Sequence, residues 1–167
     1  MGHVWLIGMM GSGKTSVGRL LSERLELPLY DTDATVEANA GQTVGEIFSH
    51  LGEPRFRELE SLAVRVIASQ DDGIVSTGGG VVLDSSNVEA MRESGTIVLL
   101  DADVGTLTAR VGTAAERPLI AEDPERYLRE LASARGAAYE NAADVVVDAT
   151  GSIEDVAHRV EAACSVS

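Results

Sequence analysis

Short apolar runs alternate with amphipathic stretches along the chain, the pattern of βαβ units wound around a parallel sheet. The runs predict strands at His3–Ile7, Leu29–Tyr30, Gly73–Ser76, Thr96–Asp101 and Asp144–Asp148. Helices fill the intervals. Val17, Leu20, Leu21 and Leu25 recur at helical spacing over Thr15–Leu25, and Thr43-Val44-Gly45-Glu46 reads as a capping box opening a helix through His50. Pro54 suits the first turn of the next helix, whose apolar face is predicted to be Phe56, Leu59, Leu62, Ala63 and Val66. Ser152, with Asp155 three residues on, opens the last helix. Gly112 to Pro124 is too irregular for a helix and too long for a plain turn. It predicts a mobile lid, with a disordered surface excursion as the alternative. No repeat, linker or low-complexity segment interrupts the pattern, and 167 residues suit one domain, 1–167.

Composition narrows the partners. With 27 acidic against 13 basic residues the net charge is -14, which argues against nucleic acid or an anionic membrane surface as the main partner. No long apolar run predicts a membrane span, and the chain enters its first strand directly, leaving no room for a signal peptide. Cys164 stands alone, so neither an intrachain disulfide nor a cysteine metal cluster is expected, in keeping with a reduced cytoplasm. His3, His50 and His158 are scattered and read as surface or packing residues.

Against this acidic background the one lysine is conspicuous. Lys14 lies in Gly8-Met9-Met10-Gly11-Ser12-Gly13-Lys14-Thr15, a complete G-x-x-x-x-G-K-[ST] phosphate loop between a predicted strand and a predicted helix. Glycines let backbone N–H groups converge on phosphate oxygens, the lysine bridges the β and γ phosphates, and the hydroxyl holds Mg²⁺. The remaining basic charge is carried by twelve arginines, so an arginine near the loop is informative.

Three further clusters bear on where the γ-phosphate goes. Asp31-Thr32-Asp33 follows the second strand, where a parallel sheet presents side chains to its ligand crevice; one carboxylate can support Mg²⁺ through water and the other can accept a hydrogen bond from an acceptor hydroxyl. A helix cap is the plainer reading of the same aspartates. Thr77-Gly78-Gly79-Gly80 follows the third strand and permits close approach of backbone to ligand, unless it is an ordinary flexible turn. Arg57, Arg117 and Arg135 fall where helices and lid could face the crevice, although Arg57 also has Glu53 and Glu60 in helical reach for a surface ion pair.

Taken together, the phosphate loop, Asp31-Thr32-Asp33, Gly52-Glu53…Phe56-Arg57…Glu60, Thr77-Gly78-Gly79-Gly80, Arg117-Pro118-Leu119 and Arg135…Tyr139-Glu140…Ala143-Asp144 resemble the shikimate kinase family over essentially the whole chain. The resemblance implies an α/β P-loop NTPase fold of the nucleoside-monophosphate kinase type, a five-stranded parallel sheet in the order 2-3-1-4-5 flanked by helices with a mobile lid. It implies ATP-dependent phosphorylation of the 3-hydroxyl of shikimate, on the route to chorismate and the aromatic amino acids. By position, it puts Gly11, Ser12, Gly13, Lys14, Thr15 and Ser16 on ATP, with Thr15 and Asp31 serving Mg²⁺. Asp33 would hold the substrate hydroxyls, Arg57 and Arg135 its carboxylate, and Gly79 and Gly80 would touch it through backbone. Arg117 matches a lid arginine that contacts ATP, Arg110 one lying over adenine, and Ser152 belongs to the adenine-side loop. Lys14, Asp33 and Arg117 are the residues expected to carry the chemistry, and a monomer the expected state. A gluconate kinase would share the scaffold, but the triple glycine and Phe56-Arg57 favour shikimate; a regulatory module without transfer activity is disfavoured by the intact lysine, aspartates and arginines.

Overall fold

The computed structural model describes residues 2–111 and 122–164. Five parallel strands, β1 (His3–Ile7), β2 (Leu29–Asp31), β3 (Ile74–Ser76), β4 (Gly95–Asp101) and β5 (Val145–Asp148), form one sheet in the order β2-β3-β1-β4-β5. This is the order expected from the sequence. Its helices are α1 (Lys14–Leu25), α2 (Thr32–Ala40), α3 (Val44–Ala68), α4 (Ser85–Ser94), α5 (Val104–Val111), α6 (Pro124–Ala142) and α7 (Ile153–Cys164). Strand bounds match the apolar runs to within a residue.

Both faces of the sheet are covered, which is why its strands are apolar throughout rather than alternating with polar residues. On one face Val4 and Leu6 of β1 and Val98 and Leu100 of β4 pack with Val17 and Leu21 of α1 and Val156 and Val160 of α7. Their neighbours Trp5, Ile7, Ile97 and Leu99 point the other way, into a core closed by Val64 and Ile67 of α3, Met91 of α4, Leu107 of α5 and Leu128 and Tyr139 of α6. A smaller cluster, Val36, Ile47, Phe56 and Ala63, holds α2 against α3.

Helix ends follow local chemistry. The Thr43 hydroxyl accepts from Glu46 N (3.2 Å) while Glu46 Oε2 accepts from Thr43 N (2.8 Å), completing the predicted capping box. Helical structure then runs to Ala68 with a break at Gly52 (φ 79, ψ 169), a left-handed conformation that sets the direction of the segment starting at Glu53. Asp123 caps α6 by accepting from Arg126 N (3.1 Å), so Pro124, predicted to close the lid, instead occupies the first turn of α6. Residues 112–121 of the predicted lid, Arg117 among them, lie outside the described residues. Among the described residues, no helix is long and apolar enough to cross a membrane.

One expectation about α3 is corrected. Phe56 and Ala63 are buried, but Leu62 and Val66 are 43% and 37% exposed, and the buried face runs instead through Glu60, Ser61, Val64 and Ile67. At about 100° per residue, positions 62 and 66 fall well to one side of the line through 56, 60, 63, 64 and 67. Hydrophobicity alone misplaced the face because the true one contains a glutamate and a serine. We therefore expect Ile67→Ala to cost about 2–5 kcal/mol in urea unfolding and Leu62→Ala less than about 1 kcal/mol; comparable losses would contradict this packing.

Candidate active site

The carboxyl ends of the parallel strands open onto a cavity of about 590 Å³, lined by Gly11 to Val17, Asp31, Asp33, Ser76 to Gly79, Arg110 and Arg135. Its first wall is the phosphate loop. Gly13 adopts φ 95, a left-handed conformation that turns the chain into α1 at Lys14 and leaves the first N–H groups of that helix facing the cavity end. The Lys14 ammonium is buried in its own loop, donating to Gly8 O (2.6 Å) and Met9 O (2.9 Å). The Thr15 hydroxyl lies 3.4 Å from Ser76 Oγ, and the Thr77 hydroxyl donates to Leu6 O (2.9 Å). These contacts tie the end of β3 to the phosphate loop.

The second wall is built on Gly78-Gly79-Gly80. None of the three needs positive φ; each is demanded by what lies against it. A methyl group on Gly78 would come within 2.9 Å of Glu60 Oε1 and 3.0 Å of Asp33 Oδ1, and one on Gly79 within 3.2 Å of an Arg135 guanidinium nitrogen and 3.6 Å of the Tyr139 hydroxyl. One on Gly80 would sit 2.3 Å from the Arg57 guanidinium. The triplet thus admits side chains from α2, α3 and α6 to one stretch of backbone, and Val81 N, donating to Gly78 O (3.2 Å), closes the same stretch as a turn, so both readings of the glycines hold.

Electrostatics follow from this crowding. Arg57 makes both ion pairs foreseen for it, to Glu60 Oε2 (2.8 Å) and Glu53 Oε1 (3.2 Å), with its guanidinium 5.4 Å from the Phe56 ring centroid. Burial works against its charge, but Glu60 and then Glu53 outweigh burial and hold its pKa above the ordinary arginine value. Glu60 is 1% exposed; burial pushes its carboxyl above the usual glutamate range, Arg57 opposes the rise and Asp33 adds to it. Asp31 does cap α2, accepting from Ala34 N (3.0 Å), and at the same time lines the cavity beside Thr15, so the cap and metal readings of this residue are compatible.

At the far end, Arg110 bridges two loops, donating to Gly11 O (3.2 Å) and to Ala149 O (2.7 Å). The Ser152 hydroxyl is engaged with Asp155 Oδ2 (2.8 Å) as the cap of α7, while Gly151 and Ile153 on either side of it line the cavity with Ala149 and Val156. Those apolar residues, like Glu60 and Tyr139, received no site role from the sequence. Glu60 lies three residues after Arg57 and Tyr139 four after Arg135, spacings that place each beside its arginine on one helix face.

A phosphate loop at the carboxyl edge of this sheet, facing a second subsite of paired arginines and carboxylates, defines a P-loop phosphotransferase of the nucleoside-monophosphate kinase type. The family model for shikimate kinase matches residues 10–165. The chain is 48% identical over 146 residues to the shikimate kinase of Symbiobacterium thermophilum, covering 86% of this chain and 84% of the relative. It also superposes on the shikimate kinase of Acinetobacter baumannii, solved in complex with shikimate, with TM-score 0.92 and 31% identity, covering 99% of this chain and 94% of that one. A gluconokinase from Sinorhizobium meliloti, TM-score 0.64 and 18% identity over 99% of this chain and 92% of that one, shares the fold alone. This chain belongs to the shikimate kinase family.

The raised Glu60 pKa carries a stability prediction. A carboxyl that holds its proton more tightly when folded favours the fold below the ordinary glutamate value and loses that contribution as pH rises through the raised one. As pH rises above about 4, the ordinary glutamate value, wild type should lose unfolding free energy relative to Glu60→Gln. Parallel pH profiles would mean that Arg57 compensates the burial in full.

Proposed function

We propose that the two walls of the cavity hold ATP and shikimate in line, so that the γ-phosphoryl group passes to the 3-hydroxyl of shikimate. ATP-dependent phosphorylation of shikimate, in the pathway to chorismate and the aromatic amino acids, is the reaction of the family to which the chain belongs. The observation that carries the residue assignments is the convergence of Asp33, Glu60, Arg57 and Arg135 on consecutive glycines beside the phosphate loop.

In this reading backbone N–H groups of Gly11 to Thr15, together with Ser16, cradle the phosphates, and Lys14 leaves its carbonyl partners for the β and γ oxygens. The Thr15 hydroxyl and Asp31 carboxylate are hard oxygen donors lining the same cavity, a donor set that suits Mg²⁺. Bound there, the ion would neutralise charge between the β and γ phosphates. Arg57 and Arg135 pair with the shikimate carboxylate, the Gly79 and Gly80 backbone touches the ring, and Asp33 orients the hydroxyl. Transfer through a loose transition state asks more of alignment than of base strength, which suits a carboxylate set among cations. Arg110, fixed across the two loops, flanks the adenine end, with Ser152 in the loop alongside. Arg117, outside the described residues, is assigned to a lid between α5 and α6 that adds a cation to the γ-phosphate and excludes water. The same reading makes the protein a single-domain monomeric kinase of the cytoplasm, and the net charge of -14 fits small-molecule partners rather than nucleic acid or an anionic membrane.

The direct test is ADP formation from MgATP with shikimate, gluconate, AMP or no acceptor. Only shikimate should stimulate the wild type, and Lys14→Ala should abolish the response; stimulation by another acceptor would discard the Arg57 and Arg135 roles. Arg57→Ala should weaken shikimate binding by about 1.5–3 kcal/mol without changing ATP affinity. Gly80→Ala should act in the same direction with little loss of thermal stability, because the group in its way is the far end of a flexible arginine rather than backbone. An unchanged KM for shikimate in both variants would remove Arg57 from the acceptor site.

A further inference from the structure

The Tyr139 hydroxyl has no place in the mechanism above, yet it is buried where the acceptor wall meets α6. The ring packs in the core with Leu128 and Val81 and the residue is 3% exposed. Its hydroxyl donates to Gly79 O, and the Arg135 guanidinium one turn earlier stands at the same glycine, one of its nitrogens 3.2 Å and the phenol oxygen 3.6 Å from where a Cβ on Gly79 would lie. The phenol proton is committed to the Gly79 carbonyl, so ring and cation of α6 meet the triplet at one residue. Burial raises the phenol pKa further above neutrality, so the donor proton stays in place throughout the working pH range.

The direction of the bond matters because a peptide unit is planar. No cis bond occurs among the described residues, so the Gly79 C=O and the Gly80 N–H belong to one trans plane and point opposite ways. With the carbonyl fixed toward α6, the Gly80 N–H is turned to the other side. Glycine supplies no torsional stiffness of its own here; two adjoining glycines would let this plane rotate unless something outside them holds it. The peptide meets Arg135 and Tyr139 at Gly79 and the Arg57 guanidinium at Gly80.

We infer that Tyr139 is a positioning residue for acceptor binding: its hydroxyl sets the rotation of the Gly79–Gly80 peptide and braces Arg135, keeping the two arginines and the intervening backbone in one register. The inference rests on the acceptor-site reading given above. It assigns Tyr139 no contact with shikimate. It predicts an effect on acceptor binding that is transmitted through Arg135 and Gly79 and does not reach the nucleotide side.

Tyr139→Phe keeps the ring and its packing and removes only the hydroxyl. We expect the KM for shikimate to rise about tenfold, with kcat and the KM for ATP within about twofold of wild type. Because Tyr139 works partly through Arg135, the double variant Tyr139→Phe/Arg135→Ala should lose less than the product of the two single losses. A Tyr139→Phe enzyme with wild-type KM for shikimate, or with kcat and both KM values changed alike, overturns the inference; so does full multiplicativity in the double variant. If Arg135→Ala itself leaves the KM for shikimate unchanged, the acceptor-site reading fails instead. Should Tyr139→Phe prove too unstable to assay, shikimate protection against thermal unfolding, set beside ATP protection, gives the same split: loss of the shikimate shift alone supports the inference, and equal shifts retained or lost for both ligands reject it.

Discussion

The absence of side chains on three consecutive residues is the constraint on which the proposed acceptor site depends. Asp33 comes from α2, Glu60 and Arg57 from α3, and Arg135 and Tyr139 from α6, and all press against the backbone at the end of β3 closely enough that any Cβ on the triplet would be crowded. β3 is held between β2 and β1, and its end is hydrogen-bonded to the phosphate loop and to β1. The same backbone therefore ties the side chains proposed for the acceptor to the phosphate loop. On that proposal, alignment of two substrates in a phosphoryl transfer reduces to the rigidity of two neighbouring parallel strands.

Charge is arranged with equal economy. In the proposed reading a chain of net charge -14 receives a polyanion and a carboxylate, with cations whose local partners already hold them in place. Lys14 is held by carbonyls of its own loop, Arg110 by carbonyls of two loops and Arg57 by two glutamates. Arg57 and Arg110, fixed in this way, need little rearrangement when a ligand's negative charge arrives, which is the basis of electrostatic preorganisation, whereas Lys14 exchanges its loop carbonyls for phosphate oxygens in the reading proposed above. Glu60 is the counterpart of this arrangement: a buried carboxylate that orders Arg57 and sits beside Asp33 at some cost in desolvation.

Much was legible in the chain before any tertiary structure. The strands, the sheet order implied by family resemblance, the capping box at Thr43, the phosphate loop and the aspartate and glycine clusters all stand where the pattern put them. These features are set by neighbours a few residues apart: a run of apolar residues, a hydroxyl three residues before a glutamate, a glycine at the turn into a helix. The dual character of Asp31, at once helix cap and cavity wall, was visible as two competing readings and needed only the fold to make them compatible.

What tertiary structure decided was which of these residues meet. The buried face of α3 runs through Glu60 and Ser61 and leaves Leu62 and Val66 outside, because the helix packs against an acceptor wall as well as a core, and polarity along the helix cannot announce a partner brought from another part of the chain. Tyr139 reads as one more apolar residue of an amphipathic helix until β3 places Gly79 O beneath its hydroxyl. The chain by itself determined the elements, the phosphate loop and the chemistry on offer, since periodicity, capping and motif spacing are short-range. The side chains that share the triple glycine were determined by contacts across 18 to 60 residues of chain, as between Glu60 and Gly78 or Gly79 and Tyr139, and steric fit at that distance is written in no local pattern.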